Sequence, residues 1–275
     1  MKRLVLTGLL LSAAAPQCRA YEYEFFNAGK GKVLTADPGQ PLIRSLFTHG
    51  TGGYFSGQDF WDIGLGGDLP LLTARRGADE AAGLNVRGDF RSRFSVGSNS
   101  FNLLNADYTG GLDLTIRKAF NLPGDLAAGL SHTSSHLGDE VLTDTAAYTY
   151  SRINYSREVL RVLYHPPLSG AFAQAWGAHY ILRKDPGTPR GRLALQYNIA
   201  VPLGARFSAN SDLQFNEEHA WTADFTLQLA VKLGGEAGQV FTQKLALEYY
   251  DGYSRQGQFH DRRERHVSIG IIAHI

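Results

Sequence analysis

Apolar and polar residues alternate along most of this chain, and the alternation is most regular in its last third. From 221 to 233 every odd position is apolar, whereas the even positions include Thr222, Asp224, Gln228 and Lys232. Successive side chains of a β-strand point to opposite faces, so this pattern predicts a strand with one apolar face. A soluble sandwich would pack its apolar faces together and place its polar faces in water. The many charges on the polar face favour instead a barrel whose outer wall contacts lipid.

The alternation predicts about twelve strands, most of them near the roughly 9–11 residues that cross a bilayer when tilted. The predicted strands lie near 43–49, 59–72, 83–95, 106–118, 125–137, 147–163, 170–184, 191–203, 205–215, 221–233, 241–254 and 266–275. The sequence therefore predicts an all-β fold, an antiparallel up-and-down outer-membrane β-barrel over residues 43–275. A periplasmic β-sandwich is the alternative fold.

The predicted connections alternate in length, which also favours a barrel. Short turns lie at 121–124, 165–170, 202–204 and 234–235, and longer, more charged connections lie at 138–146, 184–190, 216–220 and 255–265. Bacterial outer-membrane barrels have short periplasmic turns, longer outside loops and an even number of strands. Both termini are therefore expected on the periplasmic side.

The first twenty residues have the features of a secretory signal. Lys2 and Arg3 precede an apolar stretch from 4 to 15, and small Ala20 ends the segment. This predicts a signal peptide at 1–20, a periplasmic lead-in at 21–42 and export to the Gram-negative outer membrane. Because Cys18 is the only cysteine, the mature chain has no disulfide and no thiolate chemistry.

Charge and hydropathy narrow the range of partners. The net charge of +1 argues against a nucleic-acid partner, which favours a strongly basic face. The mean hydropathy of −0.21 resembles that of soluble proteins. A β-barrel gives such a value because only alternate residues meet lipid.

The polar face of the predicted strands carries charges of both signs. By parity it includes Arg87, Asp89, Arg91, Arg93, Asp107, Asp113, Arg117, Arg206, Asp212, Asp224, Lys232, Lys244 and Glu248. In a barrel of about twelve strands these groups are expected to pair across a narrow interior and fill it. The alternative is a narrow, specific channel that the charges leave open.

The segment from Ser131 to Glu140 is the strongest candidate for chemistry. If Leu126 and Leu130 face lipid, His132 and Ser134 also point outward, near the outer-leaflet level. A histidine and a serine two apart on one strand face can form the nucleophile–base pair of acyl transfer. The histidine then needs a group that orients it.

Two pairs of residues are candidates for orienting His132. Asn154 and Glu158 lie on the next strand, and Asp139 and Glu140 lie in the following loop. Asn154 and Glu158 share their parity with Arg152 and Ser156, and the more favoured interpretation places all four inside the barrel. Asp139 and Glu140 could instead bind a divalent cation such as Ca2+ between lipopolysaccharide phosphates.

The outward His-x-Ser arrangement resembles that of outer-membrane phospholipase A and the lipid A deacylase barrels. The resemblance implies an acyl hydrolase of phospholipid or lipopolysaccharide, with Ser134 as nucleophile and His132 as base. Those families usually continue His-x-Ser with Asn, whereas Ser135 follows here.

Four segments together resemble a bacterial family of secreted barrel-type proteins known only as a domain of unknown function. They are Thr35-Ala36-Asp37-Pro38, Asn105-Ala106-Asp107-Tyr108, His132 to Glu140 and Arg152 to Glu158. The resemblance implies a place in the cell envelope and gives no activity. The leading hypothesis is therefore a structural or interacting envelope component. A lipid acyl hydrolase and a narrow channel are the alternatives, and the oligomeric state stays open.

Overall fold

A computed structural model describes residues 22–26, 36–37, 40–76, 80–97, 101–118, 122–143, 151–167, 172–185, 191–234 and 242–274. The predicted signal peptide at 1–20 and most of the lead-in lie outside these residues, as does Ile275. Within the described part of the chain, no helix is long and apolar enough to cross a membrane.

The chain forms a closed barrel of twelve antiparallel strands, β2 to β13, as the alternation predicts. The strands are β1 Glu22–Phe25, β2 Ile43–Gly53, β3 Asp59–Arg76, β4 Glu80–Val96, β5 Asn102–Arg117, β6 Asp125–Leu137, β7 Tyr155–His165, β8 Ala173–Asp185, β9 Leu193–Pro202, β10 Phe207–Asn216, β11 Thr222–Gly234, β12 Thr242–Tyr253 and β13 Arg263–His274. Each barrel strand pairs with the next, and β13 pairs with β2 to close the sheet, with Ile269 opposite Phe47.

Two features of the strands differ from the prediction. The short strand β1 pairs with residues 72–75 of β3 and adds an unpredicted thirteenth strand outside the ring. β7 begins at Tyr155, later than the predicted start at 147. The backbone of Ile153 exchanges hydrogen bonds with the Gln258 side chain at 3.0 and 3.1 Å, so this part of the chain is held by a loop.

The two ends of the barrel differ in their connections. The longest ones, 138–154 and 254–262, lie at one end, called here the loop end, and the opposite end is called the turn end. At the loop end, Phe259 packs with Phe55, Phe60 and Leu104 in a buried apolar cluster. This cluster covers the interior from the loop side. Helix α1, Asp139–Thr143, contributes Val141 to it.

The outer wall is apolar and the inner wall is polar. Large side chains that the barrel leaves exposed on its outer wall include Leu65, Leu69, Tyr108, Leu112, Leu114, Leu130, Leu160, Trp176, Tyr180, Leu195, Leu227, Leu229, Leu247 and Ile269. Buried polar side chains on the inner wall include Arg87, Arg93, Asn105, Asp107, Gln196, Asn198, Asp212, Thr226, Gln228 and Glu248. In a soluble protein the apolar side chains face inward and the polar ones outward. The reverse distribution seen in this barrel is the one that a barrel in lipid requires.

Ion pairs and amides line the interior and occupy part of it. Arg93 Nη1 donates to Glu264 Oε2 at 2.6 Å, and its Nε donates to Asp62 Oδ1 at 2.7 Å. A second pair joins Arg255 and Glu248 at 2.8 Å. Of the predicted inward charges, Arg87, Asp89, Arg91, Arg93, Asp113 and Glu248 form ion pairs, mostly with neighbouring strands, whereas Asp212 is held by amide side chains and Lys232 lies opposite Lys244. Arg117 and Arg206 are exceptions, because they are exposed at the turn end.

Part of the predicted lead-in reaches the interior. Asp37 is fully buried, and its Oδ2 accepts a hydrogen bond from Arg161 Nη1 of β7 at 3.3 Å. Leu42 is also fully buried and packs with Leu46 and Ile272. The segment before the barrel thus contributes a charge partner to the polar filling.

Candidate functional site

The outward face of β6 carries the predicted His–Ser pair. Leu130 is 50% exposed, whereas Ser135 and Leu137 on the other parity are buried. His132 and Ser134 share the parity of Leu130 and therefore lie on the outer wall of the barrel. The sequence left open which face of β6 points outward, and the structure shows that it is the face that carries His132 and Ser134.

His132 contacts a carboxylate on the neighbouring strand. It lies directly opposite Glu158 of β7, and its Nδ1 is 3.1 Å from Glu158 Oε1. With Nδ1 donating to this carboxylate, Nε2 is the ring nitrogen that can accept a proton. A carboxylate in this position also stabilises the imidazolium that proton uptake creates.

The outward position of Glu158 corrects the sequence interpretation that placed it inside the barrel. Leu160 and Val162 share its parity and are exposed on the outer wall, which sets the face of the whole strand. The inward residues of β7 include Arg157 and Arg161, which pair with Glu218 and Asp37. Ser156 faces outward with Glu158 for the same reason.

Asn154, the other candidate, precedes β7 and is engaged elsewhere. Its Nδ2 donates to Oδ2 of Asp185, the last residue of β8, at 2.7 Å. Arg183 of β8 lies on the other side of Glu158, with its Nε 4.0 Å from Oε2. The structure therefore brings His132 together with Glu158 and not with Asn154.

Ser134 lies in a polar and aromatic setting. It is opposite Tyr108 of β5 and Ser156 of β7. The ring of Tyr108 contacts His136 at 5.8 Å between centroids and Phe90 at 5.1 Å. Aromatic residues of this kind mark the membrane interface of outer-membrane barrels. Ser156 and Tyr108 were not among the predicted site residues, although the parity of β7 identifies Ser156 once Leu160 is known to face outward.

Asp139 and Glu140 do not build a metal site with other groups of the described structure. Both are exposed and form the first turn of α1. Ca2+ takes six to eight oxygen ligands. Among the residues that the structure describes, no group of three or more His, Cys, Asp or Glu side chains could hold a metal ion. The carboxylates of Asp139 and Glu140 alone supply too few oxygen ligands for a calcium site.

The chain belongs to the DUF1207 family, described as a protein of unknown function, whose model matches residues 27–275. This agrees with the family resemblance seen in the sequence. No curated protein matches the chain.

Several solved structures share the fold. Outer membrane phospholipase A from Escherichia coli, in an active-site mutant at pH 6.1, is 14% identical with a TM-score of 0.61, over 84% of this chain and 89% of that one. The Salmonella typhi phospholipase dimer with bound calcium is 15% identical with a TM-score of 0.59, over 89% and 98%. The KdgM porin is 13% identical with a TM-score of 0.44, over 84% and 97%. At 14–15% identity the likeness to the two phospholipases shows the barrel fold alone, as predicted.

Proposed function

We propose that this member of the DUF1207 family is an outer-membrane lipid acyl hydrolase. Ser134 is the nucleophile, His132 the base and Glu158 the group that orients the base. The observation that supports this most directly is the 3.1 Å contact of His132 Nδ1 with Glu158 Oε1, beside Ser134 on the outer wall. The three residues lie where a membrane lipid meets the protein.

The chemistry follows from the order of the three side chains. Ser134 Oγ attacks the carbonyl carbon of a lipid ester while its proton passes to His132 Nε2. Glu158 stabilises the imidazolium. Collapse of the tetrahedral intermediate breaks the ester bond, and the imidazolium returns the proton to the leaving alcohol. Water then attacks the acyl-serine with His132 again as base, which releases the fatty acid and restores Ser134.

The position of the site suits this reaction. His132 lies five residues from the last residue of β6 and Glu158 three from the first residue of β7, both toward the loop end. If the loops are outside, the ester linkage of an outer-leaflet lipid lies at this depth, where water is available. The partners proposed here are therefore outer-membrane lipids, and the predicted signal peptide would supply the export route.

The polar interior supports this assignment over a channel. Arg93 pairs with Asp62 and Glu264 at 2.7 and 2.6 Å near the loop end, and these paired charges narrow the lumen there. One of the structurally similar phospholipases, that of Salmonella typhi, has bound calcium. The proposed steps use no metal here, since Asp139 and Glu140 supply too few oxygens.

Acyl release from phosphatidylethanolamine micelles by the refolded protein tests the proposal. The Ser134→Ala variant should lose release, and the matched Ser131→Ala variant, with its change on the inward face of the same strand, should keep it. Heat-modifiable migration on a gel verifies that each variant is a folded barrel. A folded wild-type barrel that releases no fatty acid, with or without calcium, would contradict the proposal and favour a non-enzymatic envelope component.

A further inference from the structure

A break in the strand register beside the proposed catalytic residues turns one arginine onto the outer wall. Glu158 of β7 is opposite Arg183 of β8. The next residue of β7, Val159, is opposite Ile181, so Leu182 has no partner on β7. Such a β-bulge changes the direction in which the neighbouring side chains point. The side chain of Arg183 is 71% exposed, next to Glu158.

The bulge reverses the face on which Arg183 lies. On the turn side of the bulge the odd residues of β8 point inward, since Ala175 is buried and His179 and Ile181 line the interior. Arg183 has the same parity and would point inward in a regular strand. Instead Lys184 is buried and Arg183 is exposed. The bulge thus places on the outer wall a guanidinium that the strand pattern alone would place in the interior.

The bulge is supported by a second arginine. Arg192, which directly precedes β9, donates through Nη1 to the carbonyl oxygens of Leu182 and Ile181 at 2.7 and 3.4 Å. The carbonyl oxygen of Arg192 accepts a hydrogen bond from the Ile181 amide at 2.9 Å. These bonds hold the backbone at the bulge, so the outward direction of Arg183 does not depend on its own side-chain contacts.

The guanidinium of Arg183 is available to a ligand. Its Nε is 4.0 Å from Glu158 Oε2, which is beyond hydrogen-bond distance. In the part of the chain that the structure describes, the Arg183 side chain donates no hydrogen bond. The sequence of the following connection, 186–190, contains no carboxylate and adds one more arginine. An exposed arginine fork in this condition is suited to bidentate binding of an oxyanion such as phosphate.

The depth of Arg183 on the barrel matches that of a lipid headgroup. It is two residues from Asp185, the last residue of β8, at the loop end. Tyr180 and Leu182, on its turn side, are exposed on the lipid-facing wall. If the loops are outside, this change from apolar side chains to a cation marks the level at which the acyl chains of the outer leaflet give way to phosphates.

Arg183 is also aligned with the proposed catalytic residues. His132, Glu158 and Arg183 are opposite one another on β6, β7 and β8. The row spans two strand spacings, about 10 Å between the backbones of β6 and β8. In a glycerophospholipid the acyl esters and the phosphate are attached to the same glycerol. A lipid whose ester lies at Ser134 therefore has its phosphate within reach of a long side chain in this row.

We infer that Arg183 binds the phosphate of the lipid substrate and makes the proposed hydrolase prefer phosphorylated lipids. The inference rests on the proposed function and adds a specificity residue to it. The guanidinium donates two parallel hydrogen bonds to one phosphate, while Glu158 keeps its contact with His132. Glycerophospholipids and lipid A both carry such a phosphate near an acyl ester. An arginine that only anchored the barrel at the interface would need no bulge beside the catalytic row.

Paired substrates with and without a phosphate test the inference on the refolded full-length chain. Dioleoylphosphatidylethanolamine is paired with dioleoylglycerol, and lipid A with dephosphorylated lipid A. The ratio of kcat/KM within a pair measures the preference for phosphate, and the pair whose ratio depends on Arg183 identifies the lipid. Arg183→Gln should lower this ratio about tenfold, the effect of losing a charge-assisted hydrogen bond. Arg183→Lys keeps the charge and should restore part of the ratio.

The matched control is Arg265→Gln, which removes another exposed arginine near the loop end, on β13 and away from the catalytic row. This variant should leave the ratio unchanged, and heat-modifiable migration verifies that each variant is folded. If Arg183→Gln lowers hydrolysis of both members of each pair equally, Arg183 acts on Glu158 and not on the substrate, and the inference is overturned. An equal fall of the ratio in Arg265→Gln would also overturn it.

A crosslinking measurement separates failure of the inference from failure of the proposed function. Ser134→Ala protein is mixed with a phosphatidylethanolamine or a lipid A that carries a diazirine next to its phosphate. Crosslinks of at least one lipid should map to the loop end of β8 and disappear in the Ser134→Ala/Arg183→Gln double variant. Such crosslinks without any hydrolysis by the wild type would overturn the catalytic proposal alone. Crosslinks that are the same in the double variant would overturn the role of Arg183.

Discussion

His132 on β6 and Glu158 on β7 are directly opposite each other, and their side chains meet at 3.1 Å on the outer wall of the barrel. The two residues are 26 positions apart in the chain, and the strand register joins them. The pair is what makes the half-buried Ser134 a candidate nucleophile, because a carboxylate holds the histidine ring in the orientation in which it acts best as a base.

Removal of the Glu158 carboxylate should impair the proposed reaction without affecting the fold. We expect Glu158→Ala to lower kcat by about 10- to 100-fold, since a hydrogen bond to a charged group is worth about 1.5–3 kcal/mol. The measurement is fatty-acid release from phosphatidylethanolamine, with Asn154→Ala as the matched control. Asn154 pairs with Asp185, so its loss should leave the rate unchanged. A stronger effect of Asn154→Ala than of Glu158→Ala would reverse the assignment.

The ion-paired interior should dominate the stability of the barrel. Arg93→Leu removes the arginine partner of the buried Asp62 and Glu264 carboxylates, which should cost about 3–5 kcal/mol of unfolding free energy. Arg265→Gln is the control, because Arg265 pairs with Asp251 at the surface, where solvent screens the pair, and its loss should barely shift the unfolding midpoint. Urea unfolding followed by gel migration measures both. Similar midpoints for the two variants would argue that the interior pairs are not important for stability.

The connection between β10 and β11 should be sensitive to acid through His219. This residue belongs to the short turn Glu217–His219, and its ring stacks on Tyr253 at 3.6 Å. Burial lowers the pKa of His219 to about 4, from an ordinary value of 6.5. The unfolded chain therefore binds this proton more readily than the folded one. The stability that neutral His219 supplies is complete above pH 6.5 and is lost as the pH falls toward 4.

The effect of His219 can be isolated by substitution. His219→Phe keeps a ring for Tyr253 and removes the titrating group. Its urea midpoint should depend less on pH between 7 and 4 than that of the wild type, by at most a few kcal/mol at about 1.4 kcal/mol per pKa unit. If the urea midpoints of the two proteins depend on pH equally, His219 does not contribute to the loss of stability in acid.

The alternation predicted the barrel well, since a period of two gives both the strands and their outward faces. It placed β6 at 125–137, with the bounds that the structure has. It could not predict that Glu158 and not Asn154 meets His132, because that depends on the register between strands. The face of β7 was predicted wrongly for a related reason. Ser156 and Glu158 look like interior groups by residue type. Their outward position becomes clear only because Leu160 and Val162, which share their parity, are exposed on the outer wall.

The alignment of three outward glycines on neighbouring strands was beyond the reach of the sequence for the same physical reason. Gly67, Gly88 and Gly110 are about twenty residues apart, and each alone looks like an ordinary glycine of a β protein. Their alignment appears only when three strands are paired in register. Likewise, the burial of Asp37 against Arg161 joins the lead-in to the barrel through a contact that no local pattern contains.

The most direct test of the central claim is to label the folded barrel with a fluorophosphonate and to locate the modified residue by peptide mass spectrometry. Such a reagent reacts with a serine whose hydroxyl is activated by a base. The account predicts modification of Ser134 that disappears in His132→Ala and falls in Glu158→Ala. An unmodified Ser134 in a verified folded barrel, or equal labelling of Ser134 in the absence of His132, would contradict it.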